Sequence, residues 1–584
     1  MFNPKTKTIR IAGKTIKVGG PVPRLRNGEK FIGYTTSLCP VCYRLLPAII
    51  FERENTIYIR RICPEHGEIE EVYYSDARMY YRFMKLVEEG IGPKRPHVKL
   101  VAPCPFNCGL CPRHKNHTAL VNIVLTNRCD LSCWYCFYYA EKAGYVYEPS
   151  IEQIRQMIRN VRKQGVKTLA VQLTGGEPTL RPDILEIIKI LKEEGVRHIQ
   201  LNTHGITFAR LWFEHSPEKA VEFARALREA GVNTVYMSFD GVTPRANPKN
   251  HWEVPYTLEV FRKAGMTSVV LVPTVIKGIN DKELGDIVRF AAKHMDVVRG
   301  VNFQPVSLSG MMRKEERRKM RVTIPDVAKW LEEQTDGQIP MDAWYPIPVA
   351  AKFAYFVESI TGEEQFCMGN HPACGAATYV FVERGSDGLP RKFIPITDFF
   401  DVEGFVEYMD QKTLELLENR ESKASRFKRA LRLARIVLDL PKFVDRERIP
   451  KNLNITKLLV NIFVKRNYEA LGELHYKMLF LGTMHFMDLY NYDVERVMRC
   501  NIHYAMPDGR VIPFCAFNVL NDLYRDYIQE QFKISLDKYR KMYGEKSVGD
   551  KLKYVRNIKL LKSSPIYYEA YKGIVPDHIL HGKR

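Results

Sequence analysis

The 584-residue chain reads as an α/β protein: a partial (β/α)6 barrel of the TIM type, preceded by a metal-ribbon domain and followed by an α+β domain. Three observations predict this. Between Leu120 and about Pro305, apolar strand-like runs alternate with helix-period segments, the pattern of parallel β/α units. The 13 cysteines fall into short-spaced groups, unlike scattered core cysteines. No run of about 18 apolar residues occurs, so no ordinary transmembrane helix is expected.

Composition narrows the function classes. Hydrophobic residues make up 45% and charged residues 27%, which marks a globular chain. The 88 Lys+Arg against 67 Asp+Glu give a formal charge of +21, so an acidic partner is expected: nucleic acid, phosphate headgroups or a phosphorylated substrate. The opening segment MFNPKTKTIR has no apolar signal core. A cytoplasmic location is expected, with peripheral contact at the inner membrane face as an option. There, short cysteine spacings read as metal sites or catalysis rather than disulfides.

Four domains follow in order. Residues 1–100 form a rubredoxin-like or zinc-ribbon domain. Cys39-Pro-Val-Cys42 is followed by Cys63-Pro-Glu-His66, each near a turn. Three thiolates and an imidazole suit tetrahedral zinc or a single iron; another cysteine in place of His66 is the alternative. Residues 101–118 are a Pro/Cys/His loop carrying Cys104, Cys108 and Cys111, with His114 and His117 expected to be solvated or structural. Residues 119–320 form the barrel, with strands at 120–126, 167–174, 197–203, 233–239, 267–275 and 297–304. Helix-period segments at 151–165 and 183–195 both end on glycine, a helix C-terminal signal. Residues 321–584 lose the alternation. Hairpins are expected at 375–400, turning at Ser386-Asp387-Gly388, and at 500–515, turning at Asp508-Gly509. Residues 405–490 read as mainly helical, and the tail from 521 as helical and basic.

In such barrels the chemistry sits at the C-terminal strand ends. Cys129-Asp-Leu-Ser-Cys133-Trp-Tyr-Cys136 follows the first strand directly. Three thiolates at these spacings can bind three irons of a [4Fe–4S] cube and leave the fourth open to a small ligand. A zinc knuckle or buried thiols are the alternatives.

This arrangement resembles the radical S-adenosylmethionine (SAM) superfamily, whose CxxxCxxC signature follows strand one of a partial barrel. The resemblance covers about residues 120–305. It implies that Cys129, Cys133 and Cys136 are the catalytic cluster ligands and that the open iron chelates SAM. Reduction then cleaves SAM to methionine and a 5′-deoxyadenosyl radical, which abstracts hydrogen from an unactivated C–H bond. Gly175, Gly176 and Glu177 match the GGEP element that holds the methionine ammonium. Asn202 and Thr203 end strand three. Ser238 and Asp240 end strand four and face the ribose. Thr274 and Ile276 end strand five, where family members pack the adenine.

Cys104, Cys108 and Cys111 repeat the signature spacing but precede strand one, so an auxiliary [4Fe–4S] cluster is the better reading. Cys367 and Cys374 form a later pair. Cys500 and Cys515 bracket the second hairpin, which resembles the SPASM and twitch auxiliary-cluster domains. Outside the SAM site and the ribbon seven cysteines remain, four plus three, which implies two auxiliary clusters; four buried free thiols are the alternative. The expected complement is SAM, three [4Fe–4S] clusters and one mononuclear Fe or Zn, served by an electron donor such as ferredoxin or flavodoxin.

Residues 421–470 carry 13 Lys/Arg against five Asp/Glu, and Met478, Phe480, Met484 and Phe486 follow. Basic amphipathic and apolar segments suit an anionic lipid surface, although such stripes usually line a core and such charges usually solvate a face. Aromatic interleaving for base stacking is weak, so nucleic acid is not expected. The CPxC…CPEHG ribbon, the CPxxCGLCPxHxxHT loop, CDLSCWYCF and the late cysteines together resemble archaeal tetraether lipid synthases, relatives of radical SAM proteins once linked to methylation of a pterin precursor. That resemblance implies joining the terminal methyl carbons of isoprenoid diether phospholipids. The alternative is radical methylation of 7,8-dihydro-6-hydroxymethylpterin, without cobalamin because no DxHxxG motif occurs. A non-enzymatic Fe–S or zinc protein is opposed by the ordered strand-end motifs. A long apolar channel would mark the lipid, and a compact polar pocket the pterin.

Overall fold

The computed structural model describes residues 7–136, 138, 143–167, 169–308, 317–418, 435, 436, 438–451, 453 and 477–581. A short hairpin, β1 (Thr8–Ile11) and β2 (Lys14–Lys17), opens the chain. The ribbon follows as an antiparallel meander of β3 (Lys30–Leu38), β4 (Leu45–Arg53), β5 (Thr56–Cys63) and β6 (Gly67–Tyr74). Its β-branched and aromatic residues suit a pleated, half-buried surface. Helix α1 (Ala77–Met84) starts where the Asp76 side chain accepts from the Met79 amide, a normal N-cap. The ribbon is seated on a late segment of the chain. The buried Arg61 donates to Leu38 O at 2.9 Å and to Leu489 O at 3.0 Å, and Tyr73 donates to Asp493 at 2.7 Å.

The barrel comprises β7 (Leu120–Thr126), β8 (Tyr145–Val146), α2 (Ile151–Arg162), β9 (Ala170–Gly175), α3 (Ile184–Glu193), β10 (His198–Thr203), α4 (Ile206–Glu214), α5 (Pro217–Ala230), β11 (Thr234–Ser238), α6 (Val254–Ala264), β12 (Val269–Val272), β13 (Thr274–Val275), α7 (Leu284–Lys293) and β14 (Val298–Pro305). Strands β7, β9, β10, β11, β12 and β14 run parallel in that order. Local chemistry explains the units. In α2 a Ser150/Gln153 capping box starts the helix, and Ile154, Met157, Ile158 and Val161 are buried, one face at i, i+3, i+4 and i+7.

The later strands are β15 (Tyr345–Pro346), β16 (Gly375–Arg384), β17 (Pro390–Pro395), β18 (Met478–Met484), β19 (Ile502–Ala505), β20 (Val511–Pro513) and β21 (Ile534–Ser535). All but β21, which pairs with β8 in a separate two-stranded sheet, prolong the barrel sheet at both edges. Strand β18 pairs parallel with β14 and antiparallel with β16. Strand β19 pairs parallel with β7 and antiparallel with β20. Both expected hairpins are present, with Gly388 and Gly509 at positive φ in their turns.

Met478–Met484 was expected within a mainly helical stretch and is instead a strand. It is apolar on both faces because both are covered, and periodicity cannot separate a buried strand from a buried helix. The basic segments 423–434 and 455–466 lie outside the described residues. The tail packs on the barrel: Tyr256 donates to Leu561 O at 2.5 Å, and His251 and His294 bond Tyr567 Oη and Ala570 O at 2.8 and 3.0 Å. No helix among the described residues is long and apolar enough to cross a membrane.

Candidate active site

Past Thr126 the chain crosses the barrel mouth. Cys129, Cys133 and Cys136 line a cavity of about 370 Å³ together with Gly175, Gly176, Glu177, Asn202, Thr203, Ser238 and Thr274. None of these cysteines is in a disulfide. Burial pushes the Cys133 thiol up to about 11, against the opposing charge of Lys249. A coordinating metal is what deprotonates such a thiol.

The two glycines are required by close approach. Gly175 has φ +134°, and a Cβ there would lie 2.2 Å from Thr126 O; at Gly176 it would lie 2.0 Å from Arg128 O. The amides of Gly176 and Glu177 donate to those carbonyls, each at 2.8 Å. The end of β9 thus clamps the root of the cysteine loop. The buried Glu177 carboxylate accepts from Thr179 Oγ1 at 2.6 Å, Thr203 Oγ1 at 2.8 Å and the His204 amide at 3.0 Å.

His204 was missed as a site residue, although it follows Asn202-Thr203. Its Nε2 lies 2.7 Å from Asp130 and 3.2 Å from Glu177. Burial alone would lower its pKa, but the two carboxylates hold it well above the ordinary value. Asp130, His204 and Cys129 have donor atoms within 4.8 Å of one another.

Ser238 and Thr274 face the cavity, whereas Asp240 and Ile276 stand behind its wall. The Asp240 carboxylate pairs with Lys249 Nζ at 2.9 Å, accepts from the Thr274 amide at 2.9 Å and hydrogen-bonds Tyr135. Asn280, also missed, ties these strand ends together. It donates to Asp240 O at 2.7 Å and Thr274 O at 2.8 Å, and accepts from the Ile276 amide at 2.8 Å.

Deeper in the barrel lies a row of carboxamides. Asn122, Gln172 and Gln200 are in register on β7, β9 and β10. Gln172 and Gln200 hydrogen-bond each other and line the cavity, as do Asn302 and Gln304 of β14. Asn122 is buried, and neither end of its amide has a partner among the described residues; nor has Asn202 Oδ1. Buried polar groups are normally satisfied, so these atoms point to a ligand or water.

The remaining cysteines form three sets. In the ribbon, Cys39, Cys42, Cys63 and His66 have donor atoms all within 4.8 Å, and His66 Nδ1 lies 3.4 Å from both Cys39 and Cys63. Burial opposes ionisation of Cys63, yet the Glu65 and His66 amides and the His66 ring hold it down to about 7. A hydrogen bond to Cys108, burial and the neighbouring Cys111 hold the Cys104 thiol well above its ordinary value, and the Cys108 amide donates to Tyr524 Oη at 3.3 Å. His114 and His117 bond the Cys500 and Ile91 carbonyls. Cys374, Cys500 and Cys515 are mutual electrostatic neighbours, and Arg496 donates to Cys374 Sγ at 3.3 Å. Cys367 keeps other company, with the Tyr355 hydroxyl and the Gly369 backbone.

The chain is similar to two family models and to several known proteins. The Radical SAM superfamily model matches residues 123–291, and the HMPTM N-terminal zinc ribbon domain model matches residues 31–75. The chain is 44% identical to the 7,8-dihydro-6-hydroxymethylpterin dimethyltransferase of Methanocaldococcus jannaschii, over 87% of this chain and 97% of that protein. It is 34% identical to a probable GTP 3′,8-cyclase of Pyrococcus horikoshii, over 30% of this chain and 52% of that protein. Among solved structures, anSMEcpe with bound AdoMet and a peptide is similar at 17% identity and TM-score 0.28, over 43% of this chain and 69% of that one.

Proposed function

The chain belongs to the radical SAM superfamily, in the same family as the M. jannaschii pterin dimethyltransferase, and from that premise we propose that it is a radical SAM methyltransferase acting on 7,8-dihydro-6-hydroxymethylpterin. The observation that carries this reading is the carboxamide row beside the cysteine triad. A pterin presents an amide and an amino group along one edge. A carboxamide offers both a donor and acceptors and can pair with such an edge. Gln172, Gln200 and Asn202 line the cavity, Asn202 with an unpartnered amide oxygen, and the buried Asn122, in register with Gln172 but outside the lining, has neither end of its amide partnered among the described residues. A site built to hydrogen-bond its ligand rejects analogues that leave those groups unpaired.

The expectation of tetraether lipid coupling is corrected here. The relative that is alike over 97% of its own length is named for a pterin, and not for a lipid. Met478–Met484, expected within a helical stretch, is a strand of the barrel sheet, with Phe480 and Met484 on the cavity wall. The lipid substrate and the membrane-face contact fall with that expectation.

When bound, SAM and a [4Fe–4S] cluster supply one-electron cleavage to a hydrogen-abstracting 5′-deoxyadenosyl radical. The chain's own residues fit that pair. Cys129, Cys133 and Cys136 would hold the cluster, and Gly175 and Gly176, on the wall of the same cavity, let the end of β9 close on Thr126 and Arg128 at the root of the cysteine loop. Glu177, oriented by Thr179, Thr203 and the His204 amide, offers an anion to the ammonium. Asn202, Ser238 and Thr274 line the cavity and would meet the nucleoside, with Asp240 and Ile276 fixed behind them by Asn280. Cys104, Cys108 and Cys111 would hold one auxiliary cluster, and Cys374, Cys500 and Cys515 a second. The ribbon set would hold zinc or iron, and a ferredoxin or flavodoxin would supply electrons.

The test is anaerobic incubation of reconstituted protein with SAM, a reductant and the pterin. The expected result is pterin-dependent 5′-deoxyadenosine formation and a pterin product one or two methyl units heavier by mass spectrometry. SAM cleavage that ignores the pterin, with no methylated product, overturns the proposal.

A further inference from the structure

A strap from the C-terminal tail lies across the cysteine loop, more than 400 positions away in sequence. Lys553 Nζ donates to Cys129 O at 3.2 Å and to Leu131 O at 2.9 Å. Between them, the Tyr554 amide donates to Asp130 O at 3.0 Å. Three successive carbonyls of the loop are therefore engaged by two neighbouring residues of the strap.

Both ends of the strap are anchored. Upstream, Arg128 donates to Ser547 O at 3.2 Å and lies over the Tyr539 ring at 4.9 Å. Downstream, Arg556 pairs with the buried Glu253 at 2.6 Å and donates to Lys249 O at 2.6 Å. The half-buried ammonium of Lys553 has Cys129, Asp130, Cys133 and Cys136 as its electrostatic neighbours.

We propose that Lys553 is a positioning residue for the SAM-binding cluster, pinning the 129–131 carbonyls and placing a positive charge that favours the cluster's one-electron-reduced state. The proposal rests on reading Cys129, Cys133 and Cys136 as that cluster's ligands, and it does not depend on the substrate. Reduction adds one electron, taken from an external low-potential one-electron donor, and so adds one negative charge to the cluster. A nearby cation stabilises the added charge by Coulomb attraction, and in a half-buried setting salt screens that attraction less than at an open surface.

Two full-length variants separate charge from support. Lys553→Gln keeps N–H donors but loses the charge; Lys553→Arg keeps both. Each is reconstituted anaerobically with iron and sulfide and titrated with dithionite under redox control. The readout is the electron paramagnetic resonance signal that changes on adding SAM, which singles out this cluster. At a fixed potential the reduced-to-oxidised ratio in Lys553→Gln is expected to fall about tenfold, ~59 mV for one electron, with Lys553→Arg close to the unaltered protein. A Lys553→Gln ratio within about threefold of the unaltered protein overturns the proposal. So does an equal shift in both variants. Failure of Lys553→Gln to take up the cluster overturns it too, because the lysine would then serve only to hold the loop. A SAM-responsive signal that survives in Cys133→Ala would instead sink the ligand assignment beneath it.

Discussion

The ribbon and the barrel mouth both gather cysteines, and they do so in opposite ways. In the ribbon, three thiols and one imidazole converge until every donor atom lies within 4.8 Å of the others. Cys39 follows the end of β3 and Cys63 ends β5, two strands that run in the same direction on either side of β4, so one end of the meander delivers the set. At the barrel mouth Cys129, Cys133 and Cys136 are spread around a cavity wall shared with the ends of β9, β10, β11, β12 and β14. Closed ligand sets belong to structural metals, whereas reactive sites keep a position open. A ribbon site can thus be specified by one local stretch. The barrel site depends on β9, β10, β11, the segment after β12 and a strap from the far end of the chain.

The sharpest separation comes from the triad itself. Replacing Cys129, Cys133 and Cys136 together by Ala is expected to take 5′-deoxyadenosine formation to the no-enzyme background and to leave ribbon metal content unchanged. Undiminished SAM cleavage would break the assignment. The next effect is steric. In Gly176→Ala a Cβ would lie 2.0 Å from Arg128 O, and backbone must move. Overpacking of this kind costs about 1–3 kcal/mol, so SAM affinity is expected to fall on the order of 10- to 100-fold. Equilibrium binding of SAM to reconstituted protein measures this, and unchanged affinity would show that the clamp is irrelevant to SAM.

Much of this comparison was legible in the sequence, for physical reasons that differ by region. The barrel strands showed because alternating β/α units repeat one local pattern. The ribbon showed because its four ligands sit in two short turns. His204 and Asn280 were in view, within Asn202-Thr203-His204-Gly205 and the segment ending at Asn280, but a lone polar residue at a turn carries no signal of what it will touch. The Asn122–Gln172–Gln200 row was invisible because it needs the register of three strands separated by helices. Lys553 was one basic residue in a basic tail, and only the folded strap brings it to Cys129. Strand β18 was misread because burial on both faces erases the period that marks a half-exposed strand.

The ribbon supplies the converse test. His66→Ala is expected to release its metal while SAM cleavage persists. A metal held at 100 times its dissociation constant contributes about 2.7 kcal/mol. For a ribbon of this size its loss corresponds to a melting shift on the order of 10 °C, read by calorimetry with metal analysis. Retained metal would make His66 a bystander. Lost SAM cleavage would mean that the ribbon and the barrel mouth do not act separately.

The smallest effect is expected on the barrel side and concerns pH. Burial holds His294 down to about 4, against the hydrogen bond to Ala570 O that favours its charge, and holds His251 down to about 3. Both histidines bond the helix Pro565–Tyr571. Each folded-state pKa lies below the ordinary value of 6.5, so between about pH 4 and 6.5 the unfolded chain binds more protons. Their contribution is therefore complete above about pH 6.5 and is lost as pH falls toward 4. At pH 5 the His294 share amounts to about 2 kcal/mol. Hydrogen exchange at pH 7 and pH 5, read separately over 565–571 and over β3–β6, is the appropriate measurement. Acid also displaces metal from thiolates, so the ribbon must be scored on its own strands. Protection of 565–571 should fall at pH 5, and His294→Gln should remove part of that dependence. Equal protection of this helix at both pH values would mean that the buried histidines do not couple the tail to the barrel.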